Sequence, residues 1–142
     1  MSALDAKTEQ ALVLAARDAQ TRAVAPYSHF SVGAALVTEA GSVHAGCNVE
    51  NGAFPEGWCA ETSAIAHMVG AALPGPHRRI AEISVVADRI DGRVVTPCGG
   101  CRQRLAEFGG PNTLVHASDP DGNGQTFRLA DLLPAAFVLD GK

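Results

Sequence analysis

The tightest constraint on this chain is Pro97-Cys98-Gly99-Gly100-Cys101, which runs straight into Arg102-Gln103-Arg104-Leu105. Two cysteines three residues apart, at the head of a helix-like run, lie beside free N–H groups and the positive end of a helix dipole. That setting favours thiolate over thiol. Proline suits the position before a first turn, where its missing N–H costs little. The glycines let the backbone close round an ion without Cβ atoms in the way. By itself a Cys-x-x-Cys is compatible with a structural zinc knuckle, a redox pair or a catalytic metal site. The element that discriminates lies upstream, at Cys59-Ala60-Glu61.

A chain of 142 residues, 46% hydrophobic and 18% charged, reads as one folded domain spanning 1–142. It is long enough to bury roughly two-thirds of its unfolded surface. The net charge of −4 argues against a groove for polymeric nucleic acid. Such a groove needs clustered Lys and Arg, and only Arg78-Arg79 and Arg102/Arg104 come close. A neutral nucleoside is not excluded on this ground. The apolar stretch at residues 11–16 is too short for a signal-peptide core, and no run reaches the length of a membrane span. The expectation is a cytoplasmic protein without a membrane partner, whose four cysteines serve as ligands or buried thiols rather than disulfides.

Periodicity predicts a helix over residues 8–22, with Leu12, Ala15, Ala16, Ala19 and Ala23 on one face, stopped by Pro26. Pro26-Tyr27-Ser28-His29 is a turn, and residues 30–37 and 42–47 form a hairpin about Glu39-Ala40-Gly41. Residues 48–57 form an irregular loop, 59–71 a helix ended by Pro74-Gly75-Pro76, and 79–87 a β-branched strand. A helix over 98–108 and strands over 113–117 and 125–129 follow, and Asp131-Leu132-Leu133-Pro134 caps a last short helix. The order α-β-β-α-β-α-β-β-α predicts an α/β fold with a mixed sheet between helices. Strand order does not follow from it.

Cys59, Cys98 and Cys101 compose a Cys-x-Glu … Pro-Cys-x-x-Cys set, the spacing of zinc deaminases with cysteine in the first ligand position. Three thiolates around Zn²⁺ leave a fourth position for water. Glu61 is not needed as a ligand and is placed to move that water's proton. The alternative is a closed site with Cys47 as fourth ligand, the arrangement of a non-enzymatic zinc-stabilised module. Against it, an isolated cysteine at a strand end commonly serves as a small buried hydrophobe. A redox pair would leave Cys59 and Glu61 without a role. Three thiolates give the site a net charge of −1, which two helix N-termini can offset. Arg102 is a second candidate for that task, and equally a solvated or subunit-contact arginine. The five histidines lack ligand spacing relative to the cysteines.

These motifs together resemble the cytidine deaminase family, in its short, three-cysteine, homotetrameric branch. Pro26-Tyr27-Ser28-His29-Phe30-Ser31-Val32-Gly33-Ala34-Ala35 is similar to the family's first-strand signature, and Gly46-Cys47-Asn48-Val49-Glu50-Asn51 to its ribose-binding loop. Cys59-Ala60-Glu61 and residues 97–103 are similar to its two zinc motifs, and Leu132-Leu133-Pro134-Ala135-Ala136-Phe137 to its C-terminal segment. The resemblance spans about residues 10–138 by motif order.

It implies a three-layer α/β/α fold with a mixed five-stranded sheet, and zinc-dependent hydrolytic deamination of cytidine and 2′-deoxycytidine in pyrimidine salvage. By resemblance, Cys59, Cys98 and Cys101 bind zinc and Glu61 shuttles protons. Asn48 and Glu50 hold the ribose, Phe30 packs on the nucleoside, and Ala60 and Thr96 offer backbone contacts to the pyrimidine. Phe54 and Phe137 complete a neighbouring subunit's pocket. A related deaminase acting on a nucleoside antibiotic is the alternative within the same chemistry. Without the resemblance, Asn48 and Glu50 read as an Asx-turn and a solvated glutamate, and the phenylalanines as core. Two positions depart from the pattern. Thr62 stands where many three-cysteine members carry an arginine that hydrogen-bonds the thiolates. The loop from Gly52 to Trp58 is unusual, and its tryptophan reads either as lining the site or, beside a ligand helix, as packing.

Overall fold

Alanine and leucine at helical spacing, preceded by further good helix formers, build a first helix longer than periodicity alone predicts. In the structure, a computed structural model that describes residues 3–71 and 74–139, this helix is α1 (Ala3–Gln20). It buries Leu12, Ala16 and Ala19. β1 (Val32–Thr38) and β2 (Val43–Cys47) form the expected antiparallel hairpin, in a register that sets Gly33 opposite Cys47 and Ala34 opposite Gly46. β3 (Ile80–Ala87) lies antiparallel on the other side of β1. It pairs in parallel with β4 (Leu114–Ser118), which pairs antiparallel with β5 (Gly124–Arg128). Among the described residues the sheet has five strands in the order β2-β1-β3-β4-β5.

The β2-to-β3 connection carries α2 (Ala60–Ala71), and the β3-to-β4 connection carries α3 (Gly99–Phe108). Both lie on the face opposite α1. Ala34, Leu36, Ile83, Val85 and Val115 pack there against Ala60, Ala64, Met68 and Leu105, while Ala35 and Val86 pack against Leu12 and Ala16. Two glycines make these contacts close. A Cβ on Gly33 would overlap the Ala16 carbonyl, and one on Gly46 would strike the Ala64 amide and the Ser63 side chain. Each helix therefore rests on bare backbone at the β1–β2 hairpin.

The last helix differs from expectation. α4 (Leu129–Leu132) starts directly after β5 at Arg128, so Asp131-Leu132-Leu133-Pro134 closes a helix rather than opening one. Buried Leu129 accounts for the shift, because it turns out of the strand into the core and donates its N–H to the Thr113 carbonyl. No helix among the described residues is long and apolar enough to cross a membrane.

Candidate metal centre and active site

In sheet folds with helical crossovers, ligands gather where helix N-termini meet the carboxyl ends of strands. Here α2 and α3 bring their N-termini to one corner. Cys59 precedes α2, Cys98 is the N-cap of α3 in extended backbone, and Cys101 lies in its first turn. Their Sγ atoms all lie within 4.8 Å of one another, the one such group able to hold a metal ion among the described residues. A tetrahedral ion with Zn–S bonds of about 2.3 Å spaces sulfurs roughly 3.8 Å apart, so small side-chain adjustments close the cluster. Three sulfur donors at this spacing suit zinc, a borderline-soft ion.

The Cys59 and Cys101 sulfurs share a hydrogen bond. That holds Cys59 below and Cys101 above the ordinary thiol range, with burial adding to the rise at Cys101. Cys47 is not part of the cluster. Its cross-strand partner is Gly33, and partners share a face, so it belongs to the α1 side of the sheet. The closed four-thiol arrangement therefore has no fourth cysteine.

A cavity of about 350 Å³ opens at this corner, lined by Cys59, Cys98, Glu61, Ala60 and Thr96. Glu61 is 4% exposed, and burial raises its carboxyl above the usual range, opposed by its own backbone N–H and by the Arg104 charge. Asn48, Glu50 and Phe54 line the same cavity. A second cavity of about 370 Å³, lined by Tyr27, Ser28 and Asn51, shares Glu50, Phe54 and Gly57 with it.

Asn48 and Glu50 are both tied by long-range hydrogen bonds to the turn before β1. The Asn48 Oδ1 accepts from the Val32 N–H at 2.8 Å, and its Nδ2 donates to the Phe30 carbonyl at 2.9 Å. Glu50 Oε1 accepts from the Tyr27 and Ser28 amides at 3.0 Å each, and Oε2 accepts from the Ser28 hydroxyl. The Ser28 hydroxyl, then the Ser28 and Tyr27 amides, hold the Glu50 carboxyl below its ordinary value. These bonds fix the turn before β1, in which His29 has a left-handed φ of 56°.

The structure does not gather all the expected residues. Phe30 is half-buried and does not line the cavity, because Asn48 and Ser28 tie its backbone into the turn. Phe137 is 69% exposed and also lies outside it, with its carbonyl held by Gln103 Nε2 at 3.1 Å. Of the two readings of Trp58, the structure takes the first: it is 47% exposed and lines the cavity, because Val49 and Trp58 exchange both backbone hydrogen bonds and hold it at the edge. Val32, Val85 and Val95 line it as well, a role that strand patterning does not distinguish from core packing.

Arg102 touches no sulfur. It donates to the Pro97 carbonyl at 2.7 Å, the Leu132 carbonyl at 2.7 Å and Thr96 Oγ1 at 2.9 Å, bracing the loop before α3 against α4. The arginine at the thiols is Arg104, whose Nη1 lies 3.9 Å from Cys101 Sγ. Its spacing of three from Cys101 on a helix is the signal that marks it.

Comparison with known proteins places this arrangement. Residues 6–117 match the family model described as the cytidine and deoxycytidylate deaminase zinc-binding region. The chain belongs to this family. A cytidine deaminase of Sporosarcina psychrophila is 39% identical over 126 residues, covering 89% of this chain and 88% of that one. The crystal structure of cytidine deaminase from Burkholderia pseudomallei matches with a TM-score of 0.80 and 41% identity, over 90% of this chain and 98% of the other. That from Mycobacterium tuberculosis matches with a TM-score of 0.76 and 38% identity, over 92% and 97%. The expected zinc deaminase family and its three-layer fold with a mixed five-stranded sheet are thus borne out.

Proposed function

We propose that this deaminase-family protein removes the 4-amino group of cytidine and 2′-deoxycytidine, yielding the uracil nucleosides and ammonia. The observation that carries the reading is a buried carboxylic acid, Glu61, lining the same cavity as two members of the three-thiol cluster. The cavity volume falls at the lower end of the roughly 300–1,000 Å³ usual for small-molecule sites.

Cys59, Cys98 and Cys101 would hold zinc, which supplies Lewis-acid activation of water. Burial raises the Glu61 carboxyl above the usual range, which suits it to hold and return a proton. In the proposed reaction Glu61 takes a proton from water and gives it to N3 of the ring as the water oxygen bonds to C4. It then takes the second water proton and delivers it to the 4-amino nitrogen. The C4–N bond breaks, the bonding pair leaves with ammonia, and N3 keeps its hydrogen in the product.

Asn48 and Glu50 are proposed to receive the ribose 3′-hydroxyl. Their bonds to the turn hold both side chains in place before substrate arrives. Ala60 and Thr96 line the cavity and present backbone to the pyrimidine, and Phe30, which does not line it, acts through its carbonyl, which holds the Asn48 side chain. Exposed Phe54 and Phe137 suit completion of pockets between subunits of a homotetramer. The reaction belongs to cytoplasmic pyrimidine salvage, carried out by one domain spanning 1–142.

The test is the fall in cytidine absorbance on adding purified protein, with zinc measured on the same sample. Turnover with about one zinc per chain supports the reading. Full zinc loading with no turnover of cytidine or deoxycytidine overturns it.

A further inference from the structure

Three thiolates around a divalent ion carry a net charge of −1, in a corner where Cys101 and Glu61 are both buried. Helix N-termini offset part of this. Among the side chains, Arg102 is engaged by two carbonyls and a hydroxyl, and none of its bonds reaches sulfur. Arg104 is placed differently. Long side chains on a helix lean toward its N-terminus. Arg104, three residues beyond Cys101, accordingly reaches back along α3 until Nη1 comes 3.9 Å from Cys101 Sγ.

The turn between the ligands leaves room for this. A Cβ on Gly100 would come within 3.1 Å of Arg104 Nη1, so the guanidinium lies across the Cys-x-x-Cys backbone. A cation near the start of a helix opposes the macrodipole. The opposition is relieved where the cation meets an anion, and the atom within reach is a ligand sulfur. The same sulfur has a second neighbour in Thr62 Oγ1, also at 3.9 Å.

We propose that Arg104 is a positioning residue of the metal centre: its guanidinium, folded over Gly100 onto Cys101 Sγ, offsets the excess thiolate charge and, with Thr62, fixes that sulfur. The proposal rests on the assignment of Cys59, Cys98 and Cys101 as zinc ligands. The start of α3 thus supplies two ligands and the cation that balances them within two turns of helix.

The experiment compares the parent protein with Arg104→Gln, Arg104→Lys and the double variant Arg104→Gln/Thr62→Arg, with Arg17→Gln on α1 as control. Zinc affinity is read by chelator competition, and cobalt(II)-substituted samples give the sulfur-to-metal charge-transfer band. Removing an outer partner of a metal ligand typically weakens metal binding about 10- to 100-fold, and exposed Arg104 belongs at the lower end. Arg104→Gln is expected to bind zinc about tenfold more weakly. Its charge-transfer band moves to lower energy, because a sulfur without its cation gives up electron density more readily. Arg104→Lys recovers part of both effects. So does the double variant, because residue 62 approaches the same sulfur as closely as Arg104 does. Arg17→Gln matches the parent. An Arg104→Gln protein with parental zinc affinity and an unmoved band overturns the role of Arg104. A parent protein that takes up no zinc overturns the ligand assignment itself, and the two failures are distinct.

Discussion

Cys101 and, in the cavity wall, Glu61 are buried at the starts of two helices, whereas Phe54 on the same cavity is 73% exposed. The buried end is held by backbone: a cysteine before one helix, an N-cap and a first turn in the other, all fixed by the sheet that orders those helices. The exposed side is a loop suspended from long-range side-chain bonds, with Asn48 and Glu50 reaching across to residues 27–32. The difference teaches that helix starts set the thiol cluster and Glu61, while the rest of the cavity wall depends on a braced loop.

The comparison breaks first at Glu61. Glu61→Gln is expected to lower kcat by about 10²- to 10⁴-fold, the usual range for a general acid–base group, while zinc content and nucleoside affinity stay close to parental. Substantial turnover by that variant would remove the buried end from the chemistry. Glu50 probes the other side. Glu50→Ala should raise KM by on the order of tenfold with a smaller change in kcat, as expected when charged hydrogen bonds to substrate and turn are lost. An unchanged KM would make the loop a scaffold only.

Glu50 also carries a pH signature. Its folded-state value is held below the ordinary one by the Ser28 and Tyr27 donors. In acid the unfolded chain therefore binds more protons. The contribution of Glu50 to stability is present above the unfolded carboxyl value and is lost as pH falls through the lowered folded value. Acid unfolding of Glu50→Gln should lack this component. The smallest effect belongs to Cys47→Ser, which should keep the full zinc content and cost within about 1 kcal/mol, measured by metal analysis and denaturant unfolding. Loss of zinc would return Cys47 to the metal centre.

Much of the fold was legible because its signals are local. Proline and glycine at 74–76 and 109–111, alternation in β1 and the β-branched run in β3 mark element limits without reference to the rest of the chain. Strand order was not legible, because the pairing of β3 with β1 on one side and β4 on the other is a non-local choice. The three-cysteine cluster was readable because helix starts fix it by spacing. Trp58 and Phe30 were not, since their surroundings depend on hydrogen bonds from residues about ten to twenty positions away. Arg104 lay between these cases. Its helical spacing from Cys101 was visible, but only the fold shows that Arg102, closer in sequence, is already committed to Pro97 and Leu132.

The parallel pairing of β3 with β4 also orders events in time. Cys59 and Cys98 are separated by 39 positions, and the corner they share exists only after α2, β3 and α3 are in place. At translation rates of roughly 5–20 residues per second, Cys59 leaves the ribosome roughly 2–8 s before Cys98. For that interval it is a solitary thiol, open to oxidation and to stray metals. Zinc acquisition therefore waits for the second half of synthesis, and reducing conditions during those seconds guard the yield of competent protein.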